Sequence, residues 1–300
     1  MRTFLWFMAL FAIGFGVMAV FAWPLYDLLT PTFALKFHRV ANRLGMLTLL
    51  IAFVLVARRL ALADRQSLGY GLPRPQFLRA TALGLAIGVG TMLPVVLMML
   101  GLDLRVLRAG VVLDAATIFG LIIGGLATGL AVALIEETFL RGAMHSGIAR
   151  ESGQRVAIFL TATLYACLHF VGRYRIPLEE LGPDSGLRHV LGTLADFATP
   201  LDIIDAWLAL FAVGVLLGMV RALTGNIAAC IGLHAGWVWI ISVLRETSQP
   251  DETNRWRFLL SQFDGVVGWL VLAATLLVGV VLYVGYSRCG KAHDADLRGA

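Results

Sequence analysis

Charge is what this sequence lacks most. Only 14% of its 300 residues are Asp, Glu, Lys or Arg, and 59% are hydrophobic, whereas a soluble chain carries about 25% charged residues. Too few polar side chains remain to coat a surface in water. That excludes a large soluble domain, intrinsic disorder and a coiled coil. Cysteine is also scarce: three residues, an odd number with no CxxC pair, give no support for disulfides. Cys167 and Cys230 sit inside apolar runs, where a free cysteine behaves as a small hydrophobe. The net charge of +5 comes from basic residues scattered between those runs. With no basic stripe or aromatic-interleaved patch, nucleic acid is not an expected partner; anionic lipid headgroups are.

Long apolar runs are what the sequence does have. About 20 apolar residues in a helix cross a hydrocarbon layer. Eight runs qualify as candidate spans: residues 3–26, 44–57, 80–102, 115–135, 156–172, 203–220, 222–244 and 265–287. The 44–57 run is short, but Arg58 and Arg59 can snorkel at its end. Two others carry one polar residue each, His169 and Asp205. The first run reads as a retained helix rather than a cleaved signal peptide. The fold expected is therefore an all-α, polytopic membrane protein with about eight transmembrane helices, treated as a single transmembrane domain over residues 1–300.

An even number of spans places both termini on one side. The short connection with Arg58, Arg59, Arg65, Arg74 and Arg79 points to the cytoplasm under the positive-inside rule, and a bacterial cytoplasmic membrane is the expected location. The connection over residues 173–202 carries Glu179, Glu180, Asp184 and Asp196. It is expected as a solvated acidic loop, with a surface helix as the alternative.

An ionisable residue inside lipid costs several kcal/mol at the helix centre, about 3 kcal/mol on insertion scales, and therefore marks function. Three places stand out. The first is Glu136-Glu137-Thr138-Phe139-Leu140-Arg141. Adjacent helix positions are rotated by about 100°, so the two glutamates face different ways, while Glu137 and Arg141 are i, i+4 partners on one face. Arg141 would hold Glu137 and leave Glu136 to a wet cavity. The alternative is that the doublet marks a helix end at the headgroups.

The second place is Tyr165-Ala166-Cys167-Leu168-His169. Glu136 and His169 are equidistant from the turn-like Glu151-Ser152-Gly153-Gln154. In an antiparallel hairpin they would share a depth, roughly 20 Å of helical rise from the turn. This requires the fourth helix to continue through Arg141 toward Arg150. The third place is Gly232-Leu233-His234-Ala235-Gly236-Trp237, midway along its run. Either histidine alone could simply bond a neighbouring carbonyl; a glutamate and two histidines at compatible depths on three helices are harder to assign to packing.

A carboxylate and an imidazole can hold and deprotonate a water, while a second imidazole donates to a developing oxyanion. That describes amide hydrolysis. Glu136, His169 and His234 could instead bind a divalent metal such as zinc, so the cofactor expected is either none or such a metal. Cys230 is i, i+4 to His234, although ordinary packing is its expected role.

In order and spacing, the Glu136-Glu137-xxx-Arg141 motif, the aromatic-xxx-His169 motif and the later His234 resemble the CPBP family, which includes CAAX prenyl proteases and bacteriocin-processing or self-immunity (Abi) proteins. The resemblant core spans residues 115–245. It implies Glu136 and His169 as the water-activating pair, His234 as oxyanion stabiliser, and a peptide or protein substrate, by either a glutamate or a metallopeptidase mechanism. Two positions depart from the family pattern. Tyr165 stands for a phenylalanine, and Val238 stands where Asn or a similar polar residue follows the last histidine by four. Asn226 and Ser242 are candidate substitutes for that donor. Three functions follow: an intramembrane endopeptidase with Glu137 and Arg141 as structural support, a non-catalytic partner-binding or immunity protein, and, with least support, a proton-coupled transporter.

Overall fold

The computed structural model describes residues 1–171, 174–195, 197 and 199–298, with side chains described as far as Val284. Residues 172–173, Asp196 and the side chains of residues 285–287, all part of the expectations above, lie outside the described residues.

Ten α-helices carry nearly all of the described regular structure: α1 Arg2–Leu29, α2 Phe37–Ala57, α3 Arg74–Gly101, α4 Ala115–Glu137, α5 His145–Ser152, α6 Gln154–Leu168, α7 Ser185–Ala195, α8 Ile204–Thr224, α9 Ala228–Thr247 and α10 Trp269–Arg298. Strands β1 Arg105–Leu107 and β2 Ser248–Pro250 pair antiparallel, with Val106 opposite Gln249. Six stretches are long and apolar enough to cross a membrane: α1, α2, α3, the continuous rod Ala115–Ser152, α8 and α9; α6 and the Trp269–Val284 part of α10 are shorter apolar helices. The chain is a multi-pass, all-α membrane protein.

Local chemistry sets the boundaries. Asp114 caps α4 by accepting the Thr117 amide at 2.8 Å. Gly153 separates α5 from α6 at φ +84°, a left-handed value that glycine adopts without a steric penalty. Gly225, at φ +69°, ends α8. That stop corrects one span boundary: Ala222 belongs to α8, and the next helix begins at Ala228.

The 115–152 rod widens to π geometry over Thr138–Met144 between α4 and α5. Single π turns within α-helices are frequent at functional sites.

The connection after α6 is not the plain acidic loop expected. It contains α7, whose Ser185, Gly186, His189, Val190 and Thr193 are buried as the helix packs on α1. Those positions recur at helical spacing, so a buried stripe outweighs the polar composition of the segment.

Helices α3 and α4 both pack closely on α9, because glycines remove the side chains between them. A Cβ on Gly88 would lie 2.5 Å from the Leu233 carbonyl oxygen, and one on Gly129 would lie 2.5 Å from that of Ala235. Gly84/Gly88, Gly125/Gly129 and Gly232/Gly236 each repeat the small-xxx-small spacing that lets membrane helices approach through their backbones. Packing on both sides fixes the depth of α9, and with it His234.

Candidate active site

Glu137, the last residue of α4 before the π segment, is fully buried, and its Oε1 receives two donors. Arg141 Nη1 approaches at 3.0 Å, and His234 Nδ1, from the middle of α9, lies at 2.9 Å. Arg141 is itself fully buried. Its Nη2 donates to the Gly214 carbonyl of α8 at 3.2 Å, and its Cζ stands 4.6 Å from the centre of the Tyr165 ring. Arg141 thus ties together α4, α8 and α6, while Glu137 adds α9. A buried ion pair of this kind depends on every partner, because removal of one leaves an uncompensated charge.

Glu136 points elsewhere. Its side chain is 34% exposed against 0% for Glu137, and its Oε2 lies 4.0 Å from His234 Nε2. That Oε2 is buried and, among the described residues, makes no hydrogen bond. His234 is therefore held at one nitrogen by Glu137 and meets Glu136 across the other. A carboxylate paired with Arg141 only accepts, so His234 Nδ1 carries a proton toward it. Its chemistry is left to Nε2.

His169 follows the last residue of α6. Its Nδ1 lies 2.8 Å from the Tyr165 carbonyl oxygen, an acceptor, so this nitrogen too is the donor and Nε2 holds the lone pair. The Tyr165 ring separates the two imidazoles, with centroids 4.4 Å from His169 and 5.9 Å from His234. Tyr165, His169 and His234 line one cavity of about 590 Å³. It extends past Val238 and Ser242 on α9 toward α10, and reaches Arg245 and Asp264, which form an ion pair.

The structure brings Glu136, Glu137, Arg141 and His234 into one cluster; of these His234 shares a cavity wall with His169, and Glu136 is not among that cavity's lining residues. Of the two candidate donors, Ser242 lines that cavity. Asn226 does not serve there: its Oδ1 accepts the Ala228 amide and its Nδ2 donates to the Thr224 carbonyl, so the side chain is used in the α8–α9 turn. Cys230 is buried, with its thiol 3.4 Å from the Leu217 carbonyl oxygen. Among the described residues, no group of three His, Cys, Asp or Glu side chains is placed to hold one metal ion. The set Glu136, His169 and His234 does not fit as a three-residue ion site.

Two further residues buttress the site. Arg221 of α8 donates from Nε to the Arg141 carbonyl at 3.1 Å and from Nη2 to Ser146 at 3.0 Å, bracing the π segment. Tyr70, from the α2–α3 connection, has its hydroxyl 2.5 Å from Thr138 Oγ1. Neither follows from sequence spacing, since each partner is dozens of residues away.

Part of the chain resembles a known family. Residues 118–240 match the family model described as Rce1-like, type II CAAX prenyl endopeptidase Rce1-like. That segment is similar to Rce1-like proteins. The matched segment includes Glu136, Glu137, Arg141, Tyr165, His169 and His234, in agreement with the CPBP resemblance carried by the same residues. No curated protein and no solved structure matches the chain.

Proposed function

We propose that this protein is an intramembrane endopeptidase whose catalytic core, residues 115–245, hydrolyses a peptide bond in or near the bilayer. The observation that carries this reading is the position of Glu136 Oε2, without a hydrogen-bond partner among the described residues and 4.0 Å from His234 Nε2.

In the proposed reaction, Glu136 is the general base. It takes a proton from a water as the water oxygen bonds to the scissile carbonyl carbon, and His169 Nε2 accepts that water's second hydrogen as a hydrogen bond. His234, oriented through Nδ1 by Glu137, presents Nε2 to the oxyanion as its hydrogen-bond partner. Collapse of the tetrahedral intermediate breaks the C–N bond, and the proton on Glu136 passes to the departing nitrogen. The products are a carboxylic acid and an amine, which exchange the remaining proton to leave a carboxylate and an ammonium.

The N-terminus, the basic α2–α3 connection and the α5–α6 and α8–α9 turns meet on one face. Met1 N bonds Glu151 at 2.7 Å, Arg150 reaches the Leu60 and Ala61 carbonyls, and the Ile227 amide bonds Gly69. We assign this face to the cytoplasm of a bacterial membrane, with α6 and α10 completing eight crossings.

Purified full-length protein assayed on membrane-embedded peptides tests the reading. Glu136→Gln should reduce turnover by about 100- to 10,000-fold, and equal turnover in wild type and variant would refute the assignment. Metal analysis and chelator sensitivity of the same active sample separate a glutamate from a metallopeptidase mechanism.

A second reading, a non-catalytic partner-binding or immunity protein, is favoured by Val238, which puts a side chain without a donor on the cavity wall beside His234. Detection of wild-type turnover that depends on Glu136 would exclude it.

A further inference from the structure

A second cavity, of about 430 Å³, lies outside the proposed active site. It is lined by Arg65, Tyr70, Leu72, Arg74, Phe77 and Leu78, where α2 has ended and α3 begins. Both arginines are exposed, and among the described residues neither guanidinium makes a hydrogen bond or an ion pair. Two unpaired guanidinium groups on one concave wall are a receptor for a phosphate, whose oxygens match the guanidinium fork. The first turn of α3 adds to the attraction: no side chain caps it, and its residue Arg74 lines the cavity.

The rest of the wall fixes the class of ligand. Tyr70 and Phe77 stack at 5.4 Å, and Leu78, on the first turns of a membrane-crossing helix, is 67% exposed. Arginine and exposed leucine side by side, at the level where two spans terminate, match a molecule whose phosphate is joined to hydrocarbon. A soluble phosphate would gain nothing from the apolar half. Arg58 and Arg59, also exposed, stand at the end of α2 and do not line the cavity.

We propose that this cavity is a headgroup site for an anionic phospholipid, with Arg65 and Arg74 on the phosphate and Leu78 beside the acyl chains. The Tyr70 hydroxyl bonds Thr138, the residue after Glu137, so Tyr70 links the cavity to the helix that carries the buried ion pair. The proposal is independent of peptidase activity.

Native mass spectrometry of the full-length protein in detergent, titrated with phosphatidylglycerol, phosphatidylcholine or glycerol 3-phosphate, tests it. Wild type should retain phosphatidylglycerol in preference to phosphatidylcholine, and glycerol 3-phosphate should not displace it. Arg65→Ala/Arg74→Ala should weaken phosphatidylglycerol binding by about 30-fold, the worth of two arginines at a lipid surface, while Arg58→Ala/Arg59→Ala retains it. Melting temperature without lipid reports folding. Should the double variant not fold, Arg74→Gln alone should lose about 5-fold. Equal losses in the two double variants, equal retention of phosphatidylcholine, or displacement by glycerol 3-phosphate would each overturn the proposal.

Discussion

Glu137 Oε1 lies 2.9 Å from His234 Nδ1 and 3.0 Å from Arg141 Nη1, so one buried carboxylate oxygen joins residues 97 positions apart and fixes which imidazole nitrogen is left for chemistry. Adjacent glutamates thereby take separate tasks. Glu137 organises the cluster, and under the proposed mechanism Glu136 is the group that reacts.

That division predicts opposite profiles for two isosteric substitutions. Glu137→Gln leaves the Arg141 guanidinium buried without its counter-charge, at an expected cost of about 3–5 kcal/mol. Glu136→Gln alters a partly exposed side chain that makes no hydrogen bond through Oε2 among the described residues and should cost under about 1 kcal/mol. Thermal and denaturant unfolding in detergent checks the contrast, and equal destabilisation would contradict it.

Gly129 is where α4 approaches α9 through its backbone. Gly129→Ala places a methyl group against the Ala235 carbonyl, which should force the helices apart, cost about 1–3 kcal/mol and pull Glu137 from His234. Gly120, where an added Cβ meets nothing within 4 Å, provides the control: Gly120→Ala should leave melting temperature and turnover near wild type.

Val238 offers no donor to the cavity it lines. Introducing an amide there, Val238→Asn, should raise peptide hydrolysis, by up to about 100-fold if the new donor reaches the oxyanion. Initial rates with saturating peptide read this directly. An unchanged rate would show that Ser242 or His234 already supplies what is needed.

Cys230 bonds a backbone carbonyl and takes no part in the proposed chemistry. Cys230→Ala should lower stability by about 1 kcal/mol and leave kcat within a few-fold of wild type. Loss of activity with folding intact would place the thiol in the mechanism.

How far the sequence could be read depended on the range of the interactions involved. Long apolar runs announced the multi-pass helical architecture, and i, i+4 spacing was enough to pair Glu137 with Arg141, because both are properties of one helix. Gly153, at the centre of symmetry between Glu136 and His169, is indeed the turn between α5 and α6. The second partner of Glu137 was not legible, since the His234 contact depends on how closely α4 and α9 approach. The Gly125/Gly129 and Gly232/Gly236 spacings carry that information, but only once they are recognised as packing faces. Helix α7 was obscured by the acidic residues around it, and Asn226 looked available because periodicity reports a face and says nothing of the α8–α9 turn in which its amide is consumed.

The central claim is that Glu136 and His169 act on one water beside His234, and a double-mutant cycle on peptide turnover by the purified full-length protein tests it most directly. Groups that work as a unit are strongly non-additive. Glu136→Gln and His169→Ala should each abolish most turnover, and the double variant should be no slower than the slower single variant. Losses that multiply across the two sites, or a Glu136→Gln protein that still turns over at the wild-type rate, would contradict a shared hydrolytic centre.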